Sequence, residues 1–180
     1  MGNRGRLHHG RGGRDIVRTY QNKTWITCAL SFKNRRLAQW EPNHYTLLFF
    51  LDEAVALAAG HRPCAECRRS AYNTYRALWA ETHSGALPYA KDMDMQLHRE
   101  RTDRSEHQAP WNSLPDGAFV ITDSGPAVVV GQHLAVWDSH DYTYRGKLAR
   151  PTGTATLLTK PSTVEILRAG YPVQIDDAAR

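Results

Sequence analysis

Apolar and polar residues alternate along Ile26-Thr27-Cys28-Ala29-Leu30-Ser31-Phe32, with Ile26, Cys28, Leu30 and Phe32 on one side. A period of two predicts a half-buried strand, the second of two short strands in this region. Lys33-Asn34-Arg35-Arg36 reads as a turn, and Trp40-Glu41-Pro42-Asn43-His44 as a break before an apolar strand over Tyr45–Phe50. Asp52 is placed to cap a helix over 53–59 that Gly60 closes. From about 68 to 82 the spacing turns helical. Tyr72, Tyr75 and Trp79 form one stripe, the core face, while Arg69, Asn73 and Arg76 form a second at i, i+4, i+7. A third helix is predicted over Met93–Arg101, ahead of Pro110 and Pro115.

From Ala118 the character changes to strands. Phe119–Thr122 and Ala127–Val130 flank Asp123-Ser124-Gly125, a hairpin signal, and Leu134–Trp137, Tyr142–Lys147 and Thr154–Leu158 follow. Ser162-Thr163-Val164-Glu165 has the form of a capping box opening a helix that stops at Gly170. The expected fold is α+β: a strand–helix unit carrying a cysteine knuckle, then a small antiparallel sheet or partial barrel with a terminal helix. Residues 1–14, with Arg4-Gly5-Arg6 and Arg11-Gly12-Gly13-Arg14, read as a flexible basic arm. Residues 15–109 read as the knuckle unit and 110–180 as a mostly-β unit packed on it, making one compact domain.

Composition narrows the class. A chain of 180 residues, 41% hydrophobic, can bury a core of its own. It has no apolar run for a signal peptide or membrane span, and its cysteines number three, an odd count. Both predict a cytoplasmic protein with reduced thiols and no membrane partner. The net charge of +5 is uneven. Residues 1–36 hold nine Lys or Arg (4, 6, 11, 14, 18, 23, 33, 35, 36) against Asp15 alone, whereas the remainder carries a small acidic excess. Such a local excess is a footprint for phosphate-rich partners, DNA or RNA, or else a solvated basic tail.

The chemistry concentrates in Gly60-His61-Arg62-Pro63-Cys64-Ala65-Glu66-Cys67-Arg68-Arg69. Two thiols three positions apart, in a turn between helices, suit half of a tetrahedral zinc site. As a redox pair the motif lacks the strand–helix setting that such enzymes use. The segment Phe49–Arg69, with Ala58-Ala59-Gly60 and Arg62-Pro63-Cys64-x-x-Cys67, resembles the second half of an Ada-type metal-binding domain. That is the N-terminal zinc module of bacterial methylphosphotriester DNA-repair proteins, and the match spans about 20 residues. The family's upstream half is a Cys-x-x-x-Cys pair. Here Cys28 stands in that region and Phe32 occupies the position four residues on, so a four-thiolate site within one chain is excluded. The resemblance implies zinc, held by Cys28, Cys64 and Cys67, and a DNA-related role.

For the fourth ligand the candidates are His8, His9, His44, His61, His98 or a water. His8 is preferred, because a metal would account for a histidine among glycines and arginines. A water would make the site catalytic. Asp94 and His98 lie one helical turn apart and form a candidate acid–base pair, against the plainer reading of a charged amphipathic helix. Arg35, Arg36, Arg62, Arg68, Arg69 and Arg76 are the candidate phosphate contacts, with Trp25, Trp40 and Tyr45 as nearby stacking planes. Three functions therefore compete: a zinc protein engaging nucleic acid, a metal-dependent enzyme using an open three-thiolate site or the Asp94/His98 pair, and a protein-interaction module.

Overall fold

A computed structural model of the chain describes residues 1–9, 14–34 and 38–180. It is an α+β structure built around a six-stranded antiparallel sheet. The strands are β4 (Gln108–Pro110), β5 (Phe119–Thr122), β6 (Gly125–Val130), β7 (His133–Asp138), β8 (Thr143–Ala149) and β9 (Thr154–Leu157), in the order β4-β9-β5-β6-β7-β8. The hairpin expected at Asp123-Ser124-Gly125 forms there, pairing Phe119 with Val128 and Thr122 with Gly125.

Both faces of this sheet are covered. Val120, Ala127, Val129 and Leu134 pack with Leu57, Tyr72, Tyr75, Trp79, Met93, Leu97 and Ile166 from the helices. On the other face Phe119, Val128, Ala135 and Tyr144 meet Ala54 and the C-terminal residues Ile175 and Ala179. This is why β6 runs Ala-Val-Val-Val without a polar interruption: a strand buried on both faces has no solvent side to serve.

Four helices flank the sheet: α1 (Glu53–Ala58), α2 (Arg69–Trp79), α3 (Ala90–Thr102) and α4 (Pro161–Arg168). The aromatic stripe of α2 is buried as its spacing predicts, and α2 continues as a π-helical turn over Ala80–Ser84 that ends at Gly85, φ 71°. At α4 the capping box does not form. The helix begins at Pro161, and the Ser162 hydroxyl donates instead to Glu100 on α3, which a helix packed against that carboxylate makes the better partner. The stop at Gly170 occurs as expected, with Gly170 and Tyr171 N–H groups bonding Leu167 and Ile166 carbonyls.

A second, three-stranded sheet joins β1 (Gly2–Asn3), β2 (Ile26–Thr27) and β3 (Arg62–Pro63). It corrects three expectations. Residues 2–8 are not a free arm, since Gly2 and Asn3 pair with Thr27 and Ile26, and Leu7 and His8 are buried. Residues 10–13 of that arm lie outside the described residues. The strand over 26–32 is two residues long, because its partners β1 and β3 are no longer than that. Tyr45–Phe50 makes one bridge, Leu48 to Gly2, and otherwise runs as irregular backbone bonded to Gly2 and Gly5. Among the described residues no helix is long and apolar enough to cross a membrane.

Two adjacent carboxylates tie the small sheet's surroundings to the large one. Asp52 caps α1 through the Val55 N–H (2.8 Å) and accepts from the Tyr144 hydroxyl (2.8 Å) and the Asp176 N–H (3.0 Å). Glu53 accepts from the Tyr171 hydroxyl (2.8 Å) and pairs with Arg68 (2.7 Å). Replacing Asp52 by Ala removes a cap and orphans a buried phenol, so unfolding by urea should show a loss of about 2–4 kcal/mol. Asp123→Ala, in the exposed β5–β6 turn, should stay within about 0.5 kcal/mol of the parent.

Candidate metal centre

The parallel pairing of β2 with β3 sets Ile26 opposite Arg62 and Thr27 opposite Pro63. The next residue on each strand is a cysteine, so Cys28 and Cys64 emerge side by side, and the Cys64 N–H donates to the Thr27 carbonyl (3.0 Å). The chain then turns: the Arg68 N–H bonds the Cys64 carbonyl (3.2 Å), which swings Cys67 back towards the pair at the entrance to α2. All three Sγ atoms lie within 4.8 Å of one another. Tetrahedral thiolate zinc with bonds of about 2.3 Å needs S···S edges of about 3.8 Å, so small side-chain movements suffice to seat an ion. Two backbone donors already point at sulfur, Ala29 N–H to Cys67 (3.3 Å) and Glu66 N–H to Cys64 (3.4 Å). N–H···S bonds of this kind orient ligand thiolates.

The three thiols are not equivalent. The Cys64 thiol is pulled down to about 5, foremost by hydrogen bonding from Cys28 and also by the Glu66 N–H. Cys28 is raised far above the usual thiol range, because it is the donor in that bond and is desolvated. Cys67 is raised by burial. The hydrogen bond from Cys28 thus favours the thiolate form at Cys64.

One side of the cluster opens on a cavity of about 450 Å³ lined by Leu30, Phe32, Tyr45, Leu47 and Phe49 besides the thiols. Behind Cys28 lies a second hollow of about 300 Å³ that includes Asp52, Glu53 and Arg68. The apolar wall is a feature that alternation does not reveal. Alternation puts Leu30 and Phe32 on a half-buried strand, yet Leu30 is 76% exposed and stands with Phe49, 53% exposed, at the rim. The only sequence signal was the density of aromatic residues in Tyr45–Phe50, which says nothing about what they face.

His8 does not join the thiols. Its ring is fully buried, with Nδ1 2.6 Å from the Thr46 hydroxyl and Nε2 3.2 Å from the Glu41 carbonyl, and it meets Trp40 edge-on. Among the described residues no histidine or carboxylate lies with the three sulfurs inside that 4.8 Å limit. The residues outside the description are Gly10, Arg11, Gly12, Gly13, Arg35, Arg36 and Leu37, none of which carries a usual ligand. His61 is buried between Trp25 (5.3 Å) and Phe50 (4.8 Å) and takes a hydrogen bond from Arg4 (3.2 Å).

Asp94 and His98 do not form an acid–base pair. Both Asp94 oxygens are held by Arg62 (2.8 and 2.9 Å), with a further bond from the Thr24 hydroxyl (2.9 Å). Among the described residues His98 Nδ1 has no hydrogen-bond partner, and its ring meets Tyr20 edge-on. The same pairing removes Arg62 from the phosphate candidates, since it is 3% exposed and bidentate to a buried carboxylate. Arg68 is paired with Glu53, and Arg76 donates to the Pro88 carbonyl (2.6 Å). Arg69 is exposed, while Arg35 and Arg36 lie outside the described residues. A different cationic arrangement, absent from the sequence reading, surrounds Trp25: Arg4 (3.9 Å) and Arg101 (4.2 Å) both stack on its ring, next to His61. Compared with family models, curated proteins and solved structures, the chain has no significant match.

Two outcomes follow from these buried charges. Arg62→Ala leaves Asp94 ionised and unpaired in the interior and should destabilise the fold by about 3–5 kcal/mol in urea titrations, whereas the double change Arg62→Met with Asp94→Leu should recover most of that loss. Burial and the nearby Arg4 and Arg101 hold His61 well below its ordinary value of 6.5. The unfolded chain therefore takes up the proton first. Stability is fully present above about pH 6.5 and falls as the pH drops below it. A His61→Phe variant should flatten that part of the curve of melting temperature against pH.

Proposed function

We propose that Cys28, Cys64 and Cys67 bind one zinc ion and that the protein acts at that ion on a small molecule admitted through the adjoining cavity. The observation that carries this reading is the pairing of a three-thiol cluster, which no further His, Cys or carboxylate among the described residues joins, with a cavity on its open side. Closed structural zinc sites use four protein ligands, whereas functional sites keep one position for an exogenous group. Zinc is favoured over harder cations by the all-sulfur donor set, and the Ada-type resemblance of Phe49–Arg69 supports the same metal. When bound, the ion would supply Lewis acidity at the open position. The chain's own part is to hold three thiolates with N–H donors from Ala29 and Glu66, and to keep Arg68 beside Cys28 through Glu53.

A second reading, contact with DNA or RNA, is supported by the basic excess of residues 1–36 and by exposed Arg69. It is weakened by the internal pairing of Arg62 and Arg68. On that reading a generic duplex would bind with a Kd rising steeply between low and physiological salt.

Elemental analysis of the purified chain should find one zinc per molecule, and Cys64→Ser should reduce this to near zero. Because ligand thiols must lose their protons to bind, zinc uptake at pH 7 should release protons, measurable as buffer-dependent heats in calorimetry. Full zinc content in Cys64→Ser would defeat the assignment.

A further inference from the structure

Resting on the zinc reading above, we infer that the cavity beside the thiols is a binding site for a small neutral organic thiol, whose sulfur completes the donor set while its apolar body lies against Leu30, Phe32, Tyr45, Leu47 and Phe49. Three features of the site select this class together.

The first is the donor set. Three thiolates leave a divalent ion with a net charge of −1 and a soft donor set, for which sulfur is a better-matched fourth partner than a carboxylate or phosphate oxygen. The second is the wall. The cavity, at about 450 Å³, lies in the range of small-ligand sites, and its lining beyond the thiols is mainly aliphatic and aromatic. Leu30 and Phe49 stand exposed at its mouth, so a ligand with an apolar body would cover surface that water now wets. The third is charge. Glu66 and the Met1 ammonium both line the cavity, one charge of each sign, so a charged body gains no net attraction there. On the far side of Cys28, Arg68 lines the neighbouring hollow with its charge already paired to Glu53, so it adds no net attraction for an anionic body. Binding replaces the S–H bond of the thiol by a bond from sulfur to the ion, and the proton passes to bulk water.

The test uses the full chain loaded with Co²⁺ in place of zinc, since cobalt reports its sulfur count optically. One Co²⁺ per chain is established first; failure at this step defeats the metal reading itself, and the thiol site falls with it. Phenylmethanethiol is then titrated. We expect a saturable rise in sulfur-to-cobalt charge-transfer absorbance and a shift from three to four sulfurs by X-ray absorption. The dissociation constant should be at least tenfold lower than for glutathione, whose body carries carboxylates. Two rim variants that leave the core untouched, Phe49→Ala and Leu30→Glu, should each weaken phenylmethanethiol at least fivefold without changing the cobalt content. A cobalt site that keeps three sulfurs at saturating thiol, or one that binds the two thiols equally and ignores both rim substitutions, overturns the inference.

Discussion

The parallel contact between Ile26–Thr27 and Arg62–Pro63 is the constraint on which the proposed chemistry depends. Only two residues on each strand take part, yet their register decides that Cys28 leaves the sheet beside Cys64 and not on the opposite face. Slippage by one residue would turn Cys28 away, because successive side chains on a strand point to opposite sides. The register is held from several directions. Arg62 is anchored beneath β3 by its bidentate pair with Asp94, and Thr24, two residues before β2, reaches the same carboxylate. A buried ion pair contributes little net stability, but it penalises any arrangement that leaves either charge alone, and here that penalty falls on the wrong register.

From this joint the architecture extends outward through polar contacts at the edges of apolar layers. Asp52 and Glu53 stand where the Tyr45–Phe50 segment gives way to α1, and between them they hold Tyr144 from β8, Tyr171 beyond α4, and Arg68 at the mouth of α2. The thiol cluster and the C-terminal half therefore share a boundary of two carboxylates. A residue as remote in sequence as Tyr171 thereby bears on the position of Arg68 next to Cys28.

What the sequence disclosed was governed by range. Local signals translated well: the Asp52 cap, the helix stops at Gly60 and Gly170, the Asp123–Gly125 turn, the Tyr72/Tyr75/Trp79 stripe and the knuckle itself each rest on residues within one or two turns of one another. The partners that give those residues their roles did not. Arg62 and Asp94 are 32 positions apart and each looked functional alone, one as a phosphate contact and the other as an acid. His8 was placed as a ligand on composition, and its actual partner, Thr46, lies 38 positions away. Strands of two residues carry no periodicity to read, so the pairing that unites Cys28 with Cys64 left no trace in the pattern.

The small sheet has a further consequence for dynamics. Its three strands are two residues long and come from widely separated parts of the chain, whereas β5, β6 and β7 are longer and sit between two apolar layers. Free energy of opening follows such differences, so the small sheet should open at lower cost than the large one. On the zinc reading, an ion held by the three thiols would brace this part of the fold against such opening.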